Sequence, residues 1–169
     1  MADNLEEIYC PACGKKMHKI FMDAQGVNLD VCLDGCGGIF FDNREFKKFD
    51  ENAEDISPLT NALEGKEFIK VDTTETRFCA NCGAQMVKNF ASALKEIEVD
   101  ECYTCGSKFL DNNELIKIRA QYETESDRAD AALKAYYQLN SEAINEFEEE
   151  YMTKMGSQSL LSRIIRSRF

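Results

Sequence analysis

The chain contains no tryptophan, one histidine and two prolines, and it is short of positive charge, with 20 Lys and Arg against 31 Asp and Glu for a formal net charge of −11. That deficit works against general nucleic-acid binding, because an acidic surface repels phosphates. No apolar run approaches the roughly 18 residues of a membrane span. The opening residues MADNLEEIYC lack the basic and then apolar stretch of a secretory leader, so a soluble, cytoplasmic protein is expected. GxGxxG, GKS or GKT, and HExxH are all missing, which leaves nucleotide binding and metalloprotease chemistry without support. No pairing of nucleophile and base is visible, and the chain reads as a non-enzyme with no catalytic residue. The single histidine, His18, lies among Lys15, Lys16 and Lys19 and reads as an exposed hairpin residue. At 169 residues there is room for one ordinary domain or two to three very small ones.

What the chain does have is cysteine. The eight fall as Cys10, Cys13, Cys32 and Cys36, then Cys79, Cys82, Cys102 and Cys105, two quartets each made of two close pairs. Two thiols separated by two residues on a tight turn point into one cavity, and a second such turn completes a tetrahedron around a metal. Disulfides are disfavoured in a reducing compartment. The spacing therefore assigns each quartet to a metal, zinc first, with iron as the alternative and a redox-active dithiol as the remaining reading. Four thiolates leave no open coordination position, so these are structural rather than catalytic sites.

Sliding the chain by 69 residues places Cys10, Cys13, Gly14 and Met17 on Cys79, Cys82, Gly83 and Met86, and Cys36, Gly37, Asp42, Asn43 and Glu45 on Cys105, Gly106, Asp111, Asn112 and Glu114. Cys32 meets Cys102 only at an offset of 70. This is a duplication of one module. Within each copy, Val27, Leu29, Val31 and Ile97, Val99 alternate with polar residues, the period of a half-buried strand, so a β-hairpin should carry each second pair. Phe40 and Phe41, or Phe109 and Leu110, form a small apolar lid. The following DNRE and DNNE predict helices, with Asp as N-cap and Glu three residues later. A module of this size has too little core to stand alone. A structural zinc contributes on the order of 10–16 kcal/mol of apparent binding free energy, which for so small a unit is its folding free energy.

CPACG followed by CLDGCGGIFFDNREF, and CANCG followed by CYTCGSKFLDNNEL, resemble the bacterial zinc-ribbon family related to transcription factor IIB. The resemblance implies two tandem ribbons, two zinc ions held by the two cysteine quartets, and a partner to be sought first in the transcription machinery. Three departures stand out. The first module has three residues, Leu33, Asp34 and Gly35, between its last two cysteines where the family has two, and Gly35 is the residue placed to absorb the extra one. The second module has Ser107 for the family's second glycine, and Phe40 and Phe109 replace its tryptophan. Iron fits less well than zinc, because the aromatic cage of rubredoxin, whose CxxCG pairs are similar, is not evident.

The fold expected is a small, metal-stabilised α+β arrangement: a first ribbon with its helix over 1–50, an acidic linker over 51–76, a second ribbon over 77–118, a helical region over 119–155 and a basic amphipathic tail over 156–169. In the linker, Ser57-Pro58 predicts a short helix ending at Gly65, and EFIKV a short strand. Whether Leu59, Leu63, Phe68 and Ile69 join the ribbons into one body stays open at this stage. Leu133, Tyr136, Tyr137, Ile144, Phe147, Tyr151 and Met155 recur at helical spacing. Gly156 is expected to end that run, which reads as a helical hairpin packing on itself or on the second ribbon, or else as a surface for self-association or partner capture. The tail SLLSRIIRSRF places Leu160, Leu161, Arg163, Ile164, Ile165 and Arg166 together as a candidate partner-binding element. The favoured function is a non-enzymatic protein-protein adaptor or regulator. The alternatives are direct nucleic-acid binding through Lys15, Lys16, Lys19 and Lys88 with Phe21 and Phe90, and a thiol redox switch.

Overall fold

A computed structural model describes residues 6–166, with side chains of the C-terminal helix described to Glu146 and at Glu149, Glu150 and Thr153. The hydrophobic alternation becomes strands β1 (His18–Met22), β2 (Val27–Val31) and β3 (Ile39–Phe41) in the first repeat, and β4 (Val87–Phe90), β5 (Glu98–Glu101) and β6 (Lys108–Leu110) in the second. All six form one antiparallel sheet in the order β1-β2-β3-β6-β5-β4. That order reads the same from either edge under the 69-residue repeat. The two copies meet where β3 pairs with β6, with Ile39 opposite Leu110, Phe40 opposite Phe109 and Phe41 opposite Lys108.

Period-two alternation gives the sheet two apolar faces. One buries Met22, Leu29, Val31, Ile39, Phe41, Phe46, Phe49 and Leu59 with Val99, Leu110, Leu115 and Ile118. The other buries cysteines of both quartets with Met17, Met86, Phe40 and Phe109. The expected aromatic lid is thus divided: Phe40 and Phe109 face the sulfurs, while Phe41 and Leu110 turn away from them. Phe41 instead meets Phe46 edge-on, with ring centroids 5.6 Å apart, and lies 5.8 Å from Phe49.

Helix α1 (Ser57–Leu63) forms where Pro58 pre-sets the first turn, and its Leu59 is fully buried in the first face. EFIKV forms no strand; instead the Ile69 N–H donates to the Gly35 carbonyl at 3.0 Å, and Phe68 lies against Gly37. The linker is therefore packed on the first ribbon rather than free of it.

The helix starts differ from expectation. Asp42 and Asp111 make no side-chain cap; their backbone N–H groups donate to Glu45 and Glu114 at 2.9 and 2.7 Å, the return half of a capping box alone. Arg44 and Asn113 then take left-handed φ values of 71° and 67°, so the chain turns once more before becoming helical. After the first ribbon only a three-residue 3₁₀ turn, Phe46–Lys48, follows; after the second comes α2 (Glu114–Arg119).

The chain divides into compact units Met1–Asp127 and Arg128–Phe169. The C-terminal region is one helix, α3 (Glu125–Arg166), 42 residues long. Thr124 opens it, exchanging hydrogen bonds with Asp127. Among the described residues this region is a single helix rather than a helical hairpin, and Gly156 does not end it. A helix-interior glycine costs about 1 kcal/mol, which long flanking stretches of good helix formers absorb.

Candidate metal centres

Each quartet is assembled from two knuckles. In the first knuckle of each repeat, the N–H of Gly14 donates to the Cys10 carbonyl and that of Gly83 to the Cys79 carbonyl, both at 2.9 Å, while Met17 and Met86 close the loops onto Ile8 and Arg77. In the second, Cys102 and Ser107 bond across the loop at 2.8 Å and Gly106 donates to Cys102 at 2.7 Å. The equivalent bonds of the first repeat, Cys32 to Gly38 and Gly37 to Cys32, are made at 2.9 and 3.0 Å although the loop holds one residue more. Gly37 and Gly106 have φ of 74° and 80°, a conformation open to glycine without strain.

The four Sγ atoms of Cys10, Cys13, Cys32 and Cys36 all lie within 4.8 Å of one another, and so do those of Cys79, Cys82, Cys102 and Cys105. The shortest separations repeat: Cys10–Cys36 and Cys13–Cys32 at 3.4 Å, Cys79–Cys105 at 3.5 Å and Cys82–Cys102 at 3.4 Å. These exceed a disulfide bond of about 2.0 Å and approach the roughly 3.8 Å edge of a tetrahedron with zinc–sulfur distances near 2.3 Å. Among the described residues these are the two groups of three or more His, Cys, Asp or Glu side chains able to hold a metal.

The donor chemistry fits a cation. Four thiols this close cannot all ionise by themselves. Hydrogen bonds from Cys10 and Cys36 hold Cys32 far below the ordinary thiol range. Donation to Cys32 and Cys36, together with burial, holds Cys10 far above it. A divalent cation removes this conflict, because it stabilises all four thiolates at once. Backbone N–H groups are already aimed at the sulfurs: Ala12 and Cys13 at Cys10, Asn81 and Cys82 at Cys79, and Cys105 and Thr104 at Cys102.

Gly35 does absorb the additional residue, at a position where nothing larger fits. A Cβ there would lie 2.7 Å from Sγ of both Cys13 and Cys32. Gly35→Ala should weaken the first metal site by about 1–3 kcal/mol through overpacking while leaving the second site unchanged. Chelator competition resolved by site will show it.

Three features of the site were not foreseen. Asn43 of the first repeat packs on Gly106 of the second, and Asn112 of the second on Gly37 of the first, so each DN turn braces the other repeat's knuckle. Gly38 lies under the Phe109 ring, 2.3 Å from a would-be Cβ. Its counterpart Ser107 is buried, with its hydroxyl 3.3 Å from both Cys105 Sγ and Asn81 Nδ2. Finally Arg77, 2% exposed, bridges Asp100 at 2.7 Å and Asp111 at 2.8 Å and stacks on Phe109 with 4.9 Å to the ring centroid. The repeat held a signal for Arg77, since it occupies the place of buried Ile8.

Other predicted residues are dispersed. His18 pairs with Asp34 at 2.6 Å on the surface and belongs to neither cysteine cluster. Lys16 pairs with Glu7, Lys19 with Asp30 at 3.0 Å and Lys88 with Asp100 at 3.4 Å, while Phe21 and Phe90 stand exposed on β1 and β4. Leu160, Leu161, Arg163, Ile164, Ile165 and Arg166 fall within the helical backbone of α3, but their side chains lie outside the described residues. No helix among the described residues is long and apolar enough to cross a membrane.

Residues 9–50 match a family model described as transcription factor zinc-finger, of the TFIIB zinc-ribbon type. The second cluster, 79–105, carries the same four-cysteine geometry and closes with the same backbone hydrogen bonds. The comparison with curated proteins found no match, and neither did that with solved structures.

Proposed function

We propose that this tandem TFIIB-type zinc-ribbon chain holds two structural zinc ions and acts as a non-enzymatic, cytoplasmic adaptor for a protein partner. Each zinc would be wrapped by four thiolates, so it supplies folding free energy and has no free position at which to activate water. The observation that carries the adaptor reading is the apolar surface of α3. Leu133, Tyr136, Tyr137 and Ile144, which share one side of the helix, are between 53% and 64% exposed. Tyrosine-rich apolar clusters of this kind anchor protein contacts at low entropic cost. Exposed Glu142, Glu146, Glu149 and Glu150 elsewhere on the same helix give it an acidic field that favours a basic, apolar segment as the partner. The transcription machinery is the first place to seek it, since that is where the family description points.

Nucleic-acid binding through the hairpins has the exposed rings of Phe21 and Phe90 in its favour, as stacking surfaces. Against it, Lys16, Lys19 and Lys88 are each matched to a carboxylate, which leaves little charge for phosphate.

Affinity capture from nuclease-treated lysate, comparing the wild-type chain with a Leu133→Glu, Tyr137→Glu variant, tests the reading. A defined protein should be retained by the wild type and lost, by about tenfold or more, with the variant. Retention that vanishes on nuclease treatment and ignores both substitutions would overturn it in favour of nucleic acid.

A further inference from the structure

We propose that the second cysteine cluster is a peroxide-reactive modification site, at which Cys82 and Cys102 are oxidised to a disulfide with release of the metal, while the first cluster is shielded and keeps its own. This rests on the two-zinc reading above.

The two clusters share their geometry but differ in cover. In the first, Cys10, Cys32 and Cys36 are buried and Cys13 is half-buried; in the second, Cys82 is exposed and Cys105 half-buried. Two elements distinguish them. Gly35, the extra residue of the first ribbon's second knuckle, lies against the sulfurs of Cys13 and Cys32, and the shorter loop of the second ribbon has no residue in its place. The linker then passes over that knuckle, where the Ile69 N–H donates to the Gly35 carbonyl at 3.0 Å and Phe68 covers Gly37. At the matching knuckle of the second ribbon, Gly106 is met by the short side chain of Asn43. The first ribbon also supplies eight of the thirteen buried residues of the opposite face of the sheet, from Met22 to Phe49, and the linker adds Leu59. It therefore has more core of its own to keep its knuckles closed.

Exposure decides which thiolate meets a dissolved oxidant. The Cys82 sulfur attacks one oxygen of hydrogen peroxide, the O–O bond breaks, and a sulfenic acid forms with loss of hydroxide. The Cys102 sulfur, 3.4 Å away, then displaces hydroxide from the Cys82 sulfur as the S–S bond forms. The two sulfurs lose two electrons, the peroxide gains them, and two protons from solvent complete two molecules of water. Zinc takes no part in the electron transfer. It departs as the divalent ion, since two ligands remain where four held it. A dithiol reductant reverses the step and restores the site.

The test uses the full chain with its metals. Zinc is counted per chain first, then low peroxide is added while a chromogenic chelator reports release and differential alkylation with peptide mapping reports each cysteine. The expected result is two phases, the first releasing one equivalent about tenfold faster than the second. Cys82 and Cys102 should be linked at that point and Cys10, Cys13, Cys32 and Cys36 still alkylatable. A Phe68→Ala, Ile69→Pro variant, which removes the cover from the first cluster, should speed the slow phase and leave the fast one unchanged. Fewer than two zinc ions before oxidation would sink the two-zinc reading and this inference with it. Two zinc ions released in one phase, release from the first cluster first, or a disulfide at other cysteines would overturn this inference alone.

Discussion

Stripping both metals with a strong chelator should unfold the whole six-stranded unit, with the sheet signal in circular dichroism lost and recovered on adding zinc. Each site is expected to contribute on the order of 10–16 kcal/mol of apparent binding free energy, as much as the entire net stability of an ordinary domain, about 5–15 kcal/mol. The sulfurs are part of the packing as well: Cys32 and Cys102 are fully buried, and cysteines of both quartets form one apolar face with Phe40, Phe109, Met17 and Met86. Removing the cations leaves at the centre of that face sulfurs that ionise only in part, with nothing to neutralise the charge that remains. A sheet that persisted in excess chelator would show that the apolar faces suffice and that the metals are accessory.

Arg77→Leu should be the most damaging single substitution away from the cysteines. The guanidinium has Asp100 at 2.7 Å and Asp111 at 2.8 Å, and its side chain is 2% exposed. A leucine there leaves two carboxylates in a poorly solvated site, with only Lys88, 3.4 Å from Asp100, nearby. Stranding one partner of a buried pair costs about 3–5 kcal/mol, so a fall of about 10 °C or more in melting temperature is expected for a unit of this size. The loss belongs to the stranded charges rather than to the missing contact. Hence Arg77→Ile combined with Asp100→Asn and Asp111→Asn should recover most of it, as the first repeat holds Ile8 in the same position. Thermal melts of the zinc-loaded single and triple variants decide this. Equal melting temperatures for the two would mean that Arg77 acts through its stacking on Phe109 instead.

Much of the candidate site was legible without coordinates. Cys10-x-x-Cys13 and Cys79-x-x-Cys82 are close enough along the chain that a turn alone aims both sulfurs one way. Val27, Leu29 and Val31 announce β2 by their period. The helices were less legible. DNRE and DNNE resemble capping boxes, but their glutamates bond backwards while Arg44 and Asn113 turn left-handed, and the helical conformation begins only after that turn. Gly156 read as a stop because glycine breaks helices on average, and an average does not bind a 42-residue helix.

The sequence by itself determined the two quartets and the hairpins that present them, because each depends on residues within about forty positions of one another, and the duplication relating them, because the same spacing recurs at an offset of 69 whatever packs on it. Only the tertiary structure decided that β3 and β6 pair to make one sheet, that Arg77 is sealed between two aspartates, and that the linker packs over the second knuckle of the first cluster. Those outcomes turn on burial between segments distant in the chain. Which surface covers which is a property of the packed whole, with no local spacing to announce it.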